Sequence, residues 1–390
     1  MEKQNHNNSE KIIEFPKSSV EASEHQYQRH HNFAVYFTFA VLVIVILFFA
    51  INIDSSFEST NSVNEDVITL TGANNYNFAS YKEGYLLALD GKISCYNTNQ
   101  ELQWETMGSK TAPMIKVNKD YVLTYYNNDK LAVVTNGKKE YRLKTSGNVL
   151  YGYVNKNGYS VLFIEESGLK NKIVVYNNSG EMLYYRDNPG KQITYAMLSD
   201  DNYSLLTIEL ATNKDKISSE LIVTNIKKNK TVAKENFDGL IPGGAVMTSS
   251  KEAAIIFDNK ILFYSLNGKL KHQTDFEGKR LRKFSYDDGF FGFIFNEDDS
   301  SNTGSKIVFY NYKGKRIGEY QTASKAKDID ISSGRALLTL ERELQIVTAK
   351  GKFISSATMN YDMKDSIFIS NSRCALTISS SQEARLMKFE

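Results

Sequence analysis

From about residue 66 onward one hydrophobic pattern recurs, and it has the short period of strands. A brief β-branched or aromatic run ends in Tyr or a residue in its place. Asn often follows, Gly comes about four positions on, and Lys or Glu leads into another apolar run. The clearest copies are Ile173-Val-Val-Tyr176-Asn-Asn-Ser-Gly180-Glu-Met-Leu183 and Ile307-Val-Phe-Tyr310-Asn-Tyr-Lys-Gly314-Lys-Arg-Ile317. Ile261-Leu-Phe-Tyr264-Ser-Leu-Asn-Gly268-Lys-Leu270 is close to them. Weaker copies are centred on Tyr96, Val134, Thr224 and Val347, and a last one, at Met387, lacks its hairpin. Two β-rich runs joined by Asn-x-x-Gly form a hairpin, because the turn needs backbone angles that Gly and Asn tolerate. Two more strand-like runs separate successive hairpins, such as Thr194 to Leu198 and Ser204 to Glu209 ahead of the hairpin starting at Glu220.

The anchors at positions 96, 134, 176, 224, 264, 310, 347 and 387 stand about 42 residues apart, the period of a four-stranded propeller blade. The pattern therefore predicts an all-β fold: a single β-propeller of eight blades, or seven if the weak copies are misaligned. A β-sandwich would not readily give so even a spacing. The final copy stops at Glu390 without an outer strand, while Asp66-Val-Ile-Thr-Leu70 stands spare at the start. That strand is expected to pair beside Ala384 to Lys388 and close the ring, covering edges that otherwise invite aggregation.

Ahead of the repeats the pattern changes. Phe33 to Ile53 is apolar and uncharged over about twenty residues, enough for a helix to cross roughly 30 Å of hydrocarbon. Lys17 and Arg29 precede it, whereas Asp54, Glu58, Glu65 and Asp66 follow with no Lys or Arg until Lys82. Positive charge stays on the cytoplasmic side, so the N-terminus is expected inside and the remainder outside. A cleaved signal peptide fits less well: the leader is long and holds several acids, and no small-x-small pattern lies near Ala50. The expected domains are a disordered cytoplasmic tail (1–32), one transmembrane α-helix (33–53), a polar stalk (54–65) and an extracytoplasmic propeller (66–390).

The stretch Leu86-Leu-Ala-Leu-Asp90-Gly-Lys-Ile93 through Glu101-Leu-Gln-Trp104 resembles the repeat of quinoprotein-like and WD40-like propellers, which occurs in enzymes and in non-enzymatic proteins. The order of tail, helix and propeller is similar to a family of membrane-anchored Gram-positive bacterial proteins of unestablished function. The resemblance implies a fold and no chemistry. Its closing Trp is kept once, at Trp104, with Tyr184, Phe276 and Tyr320 expected in its place elsewhere.

Chemistry is sparse. The net charge of +2 gives no global basic field, which argues against a nucleic-acid partner. Cys95 and Cys374 lie in apolar strand-like runs and read first as buried hydrophobes, with a disulfide between them as the alternative. Of the five histidines only His272 falls in the repeats, which excludes a His-rich zinc site there. It reads as an exposed strand residue, not as the base of a triad. One Trp and no adjacent cysteines leave quinone-dependent dehydrogenation without its parts.

Glu165-Glu166, Asp200-Asp201, Asp287-Asp288 and Glu297-Asp298-Asp299 are candidate carboxylate pairs for glycoside hydrolysis, but all sit where acids serve as solvated turn residues. Glu297 to Asn302 lacks the spacing of a calcium loop. Gly239-Leu-Ile-Pro-Gly243-Gly244 lacks the following Lys-Ser/Thr of a phosphate loop, and reads as the crossing into the fifth blade. Lys138-Lys139, Lys227-Lys-Asn-Lys230 and Lys279-Arg-Leu-Arg-Lys283 read as solvated hairpin edges that block strand addition, with anionic wall polymer or lipid as alternative partners.

No residue is assigned a catalytic, cofactor-binding or metal-binding role, and no cofactor is expected. Besides the bilayer around Phe33 to Ile53, the expected partner is an envelope protein or a wall polymer, bound by a non-enzymatic scaffold or sensor at the cell membrane. The alternative is an extracytoplasmic glycan hydrolase or lyase, which would gather two or more acids round a pocket at one channel mouth.

Overall fold

The computed structural model describes residues 64–70, 76–110, 112–126, 128–166, 170–188, 191–213, 216–287, 289–295, 304–369, 374–379 and 383–389. All of these fall in the second of two compact units, Ser59–Glu390. The tail, the segment Phe33 to Ile53 and residues 54–63 lie outside the described residues, among which no helix is long and apolar enough to cross a membrane.

The described residues form eight four-stranded antiparallel sheets. Seven are plain meanders, at 76–107, 113–144, 148–187, 192–238, 244–275, 281–321 and 328–358, here blades one to seven. First strands of neighbouring blades touch, including that of blade eight (Met363–Ile369) against that of blade one (Tyr76–Tyr81), except at blades five and six, which an apolar cluster joins, so the blades form a closed ring around a channel. This is an eight-bladed β-propeller. Turns from first to second and from third to fourth strands share one face, called the turn face below. Loops from second to third strands and crossings between blades occupy the other, the crossing face.

All eight sequence anchors fall on third strands. The recurring Asn closes the turn that follows: Oδ1 of Asn97, Asn177 and Asn311 each accepts the amides two and four residues on, at 2.9 to 3.0 Å. The side chain thus supplies from within the acceptor that the turn backbone lacks. In blades five and seven the Ser265 and Thr348 hydroxyls accept the corresponding amide at 3.3 and 3.1 Å.

Blade eight has a different origin. Its fourth strand is Asn64–Thr69, antiparallel to Glu383–Lys388, with Val67 opposite Arg385 and Ile68 opposite Ala384. The expected closure is present, and begins two residues inside the stretch read as stalk. Apolar clusters bridge adjacent blades: Val246, Ala254 and Phe263 of blade five pack against Phe291, Phe293 and Val308 of blade six. The second strand of blade six, Phe290–Phe295, is buried throughout. Each such side chain contributes about 1.5–3 kcal/mol, so stability is spread round the ring.

Blade four departs from its sequence reading. Its second and third strands, Ser204–Asn213 and Lys216–Asn225, run ten residues each and pair out to Asn213 and Lys216. The polar Ala211-Thr-Asn213 carries no strand signal, and backbone pairing extends the hairpin past the apolar run.

Candidate functional site

Among the described residues, the acids of the pairs singled out in the sequence do not gather. Glu166 pairs with Lys172 at 3.0 Å, Asp200 with Lys156 at 2.9 Å, and Asp287 accepts the Ser333 amide at 3.0 Å. Asp288 and Glu297 to Asn302 lie outside the described residues.

Other acids do converge. The first strands of blades seven (Asp328–Ser332) and eight bring Asp328, Asp330 and Asp365 together at the channel. Asp330 accepts the Phe368 amide at 2.7 Å and the Ser285 hydroxyl at 3.3 Å, joining three blades. Burial outweighs these bonds and pushes its carboxyl up to about 6. Asp328 pairs with Lys283 at 3.4 Å. Burial first, then the neighbouring Asp328, push Asp365 up to about 6 as well.

Asp365 also lines a cleft of about 280 Å³ with Tyr76, Asn77, Phe78, Lys364 and Ser366, where blade eight meets blade one. Along the channel, side chains tie most blades to a backbone carbonyl of the next: Asn77 to Pro113, Asn118 to Val154, Asn155 to Ser199 and Lys327 to Met363 at 3.1 to 3.2 Å, and Tyr195 to Gly243 at 2.6 Å. No such bond spans the junction of blades eight and one among the described residues, and the cleft opens there.

A second feature crowns blade four. Ile217, near the tip of the long hairpin, is 51% exposed, and Ile241, in the crossing to blade five, is 47% exposed. The Ser219 hydroxyl donates to the Leu240 carbonyl at 2.8 Å, holding the crossing against the hairpin. Below this edge Glu209 and Glu220 face each other across the strand pair, both buried. Arg186 and Lys191 reach Glu209; Lys191 and Lys234 reach Glu220 at 3.1 and 2.7 Å. Although burial pushes the other way, the two lysines hold Glu220 below the ordinary carboxylate range.

His272 is not an exposed strand residue. Its ring stacks on Phe263 at 4.2 Å, and a Cβ on the turn glycine of blade six, Gly314, would stand 2.8 Å from its Nε2. Trp104 underlies Gly137 and Tyr141 underlies Gly180 in the same way. His272 and Tyr184 therefore hold the repeat position of Trp104, whereas Phe276 and Tyr320 do not; in blade six the position is Gly318.

Cys95 and Cys374 are buried and form no disulfide; burial pushes the Cys95 thiol up to about 11. Gly239 to Gly243 is the crossing into blade five, as expected. Lys138-Lys139 and Lys227 to Lys230 do edge hairpins, but Lys279 to Lys283 leads into the channel, where Arg282 donates to the Ala326 carbonyl.

The chain belongs to the family of unknown function DUF5711. The family profile matches residues 54–388. No curated protein matches the chain. Among solved structures, this DUF5711 chain is similar to BamB from Moraxella catarrhalis, with 10% identity, a TM-score of 0.52, and 85% of this chain and 98% of that one covered. It is also similar to the C-terminal WD40 domain of Sif2, with 10% identity, a TM-score of 0.57 and 86% and 100% covered. Chaetomium thermophilum Sqt1, solved bound to the N-terminus of the ribosomal protein L10, has 9% identity, a TM-score of 0.53 and 81% and 99% covered. At such identities the likeness is one of fold.

Proposed function

We propose that the chain is a non-enzymatic, membrane-tethered propeller that binds another envelope protein of a Gram-positive bacterium. In this reading Phe33 to Ile53 crosses the bilayer, residues 1–32 are cytoplasmic and the propeller lies outside. The observation that carries it is the pair of exposed isoleucines at blade four, Ile217 on the overlong hairpin and Ile241 on the crossing that the hairpin holds. Exposed isoleucines held in place by a hairpin cost stability without serving the core, and suit a protein partner better than a wall polymer. A propeller neighbour seen holding a protein N-terminus supports the same use of the fold. Proximity labelling from the propeller in living cells, with wild type and the pair Ile217→Glu and Ile241→Glu, tests it. Wild type should enrich particular envelope proteins and the variant should lose them; no enrichment, or enrichment indifferent to the substitutions, overturns the reading.

Asp365 and Asp328 beside the cleft favour a second reading, an extracytoplasmic glycan hydrolase or lyase. A carboxyl whose hold on its proton is strengthened by burial beside a second carboxyl is the arrangement of a general acid and its partner. Cleavage of purified wall glycan by the full chain, abolished by Asp365→Asn, would establish it in place of the first.

A further inference from the structure

The third-to-fourth-strand turns of four successive blades, four to seven, carry cations and no acids. They are Ile226-Lys-Lys-Asn-Lys230, Asn267-Gly-Lys269, Tyr312-Lys-Gly-Lys-Arg316 and Ala349-Lys-Gly-Lys352. Every lysine in them is exposed, and none is ion-paired with a described residue; Arg316 reaches Glu319. On other blades the turn face carries paired charge, as in Lys82 with Asp120 and Lys156 with Asp200, beside the exposed Lys138 and Lys139 of blade two. Loops of the crossing face mix signs, as in Glu277 with Lys279 and Glu341 with Arg342. Fourth strands add exposed apolar side chains just past the lysines: Val232, Leu270 and Phe353.

The chain also joins the ring at this face. Asn64, the first residue of the closing strand, lies opposite Lys388, the last of the third strand of blade eight. Residues 54–63 alone separate it from the apolar segment ending at Ile53, and ten extended residues span at most about 35 Å.

We infer that this basic arc of the turn face rests on anionic lipid headgroups, an inference that builds on the tethering reading above. Lysines beside exposed apolar side chains are the composition that settles at an anionic bilayer surface. The attraction fades beyond about 8 Å at physiological salt, so it requires the close approach that the short connection allows. Each lysine at such a surface strengthens docking about fivefold.

The test is amide hydrogen exchange of the full chain in nanodiscs of phosphatidylcholine alone or with about one-third phosphatidylglycerol. Peptides covering the four turns should exchange at least about fivefold more slowly with phosphatidylglycerol. High salt, or Lys228→Glu with Lys313→Glu and Lys350→Glu, should abolish the difference. Equal exchange in both discs, or slowing confined to the crossing face, overturns the inference. The same slowing by polyphosphate added to phosphatidylcholine discs also overturns it, since the arc would then serve a soluble polyanion. A chain that does not stay with the discs defeats tethering by itself. Flotation with phosphatidylglycerol vesicles then decides the arc: flotation lost in the triple variant supports it, and no flotation overturns it.

Discussion

The Asp330 carboxylate accepts the backbone amide of Phe368 at 2.7 Å and so joins the first strands of blades seven and eight. Burial holds that carboxyl at about 6 in the folded chain, above an ordinary aspartate. The folded state therefore binds the proton more tightly than the unfolded state. Its contribution to stability is full below about pH 4 and is lost as pH rises through about 6. Asp365 acts in the same direction. A shift of this size corresponds to at most about 3 kcal/mol per group, less what channel water recovers. Asp330→Asn keeps an oxygen for Phe368 and should flatten stability between pH 4 and 6, read from urea midpoints across that range. A slope unchanged from wild type would exclude the assignment.

The closing strand is expected to act as a latch. Ile68 is half-buried and packs on the cluster that contains Leu376 and Leu386. Ile68→Asp should cost about 2 kcal/mol. Deleting 64–69 should leave the edge of Glu383–Lys388 unpaired and promote association. Urea midpoints of the first variant and light scattering of the second, each beside wild type, measure the two effects; a monodisperse deletion variant would argue that the ring closes by other means.

Gly137 has φ +82 and its missing Cβ would lie 2.6 Å from Trp104 Nε1. Gly334 has φ +80 with nothing within 4 Å. Gly334→Ala should cost about 1 kcal/mol, the left-handed penalty alone, and Gly137→Ala about 2–4 kcal/mol. In a Trp104→Ala background the second cost should fall by about 1 kcal/mol or more. A denaturant double-mutant cycle without such coupling would show that the ring does not pack under the turn.

Glu209 is 1% exposed and depends on Arg186 and Lys191. Arg186→Met should destabilise by about 3–5 kcal/mol, because it leaves a buried carboxylate under-compensated. Lys82→Met, which breaks an exposed pair with Asp120, should cost less than about 1 kcal/mol. Thermal midpoints at neutral pH separate the two; similar losses would contradict the difference in burial.

The eight-bladed ring was legible because each blade repeats local signals: an apolar third strand, an Asn or hydroxyl that closes its turn, and a spare strand matched to an unpaired edge. Even the role of His272 had a local signature, since it follows the turn glycine Gly268 by the same four positions that separate Tyr184 from Gly180 and Tyr141 from Gly137. Its charged neighbours concealed it, because they alternate to the solvent side of the strand. The acids at the channel carried no such signal. Asp328 and Asp330 belong to blade seven and Asp365 to blade eight, and only the packing of neighbouring blades sets their two first strands side by side. The length of the blade-four hairpin was likewise decided by backbone pairing between polar residues, to which hydrophobic periodicity is blind. Strand identity follows from short-range patterning, whereas the company a carboxylate keeps, and hence its protonation, depends on which distant strands the fold makes neighbours.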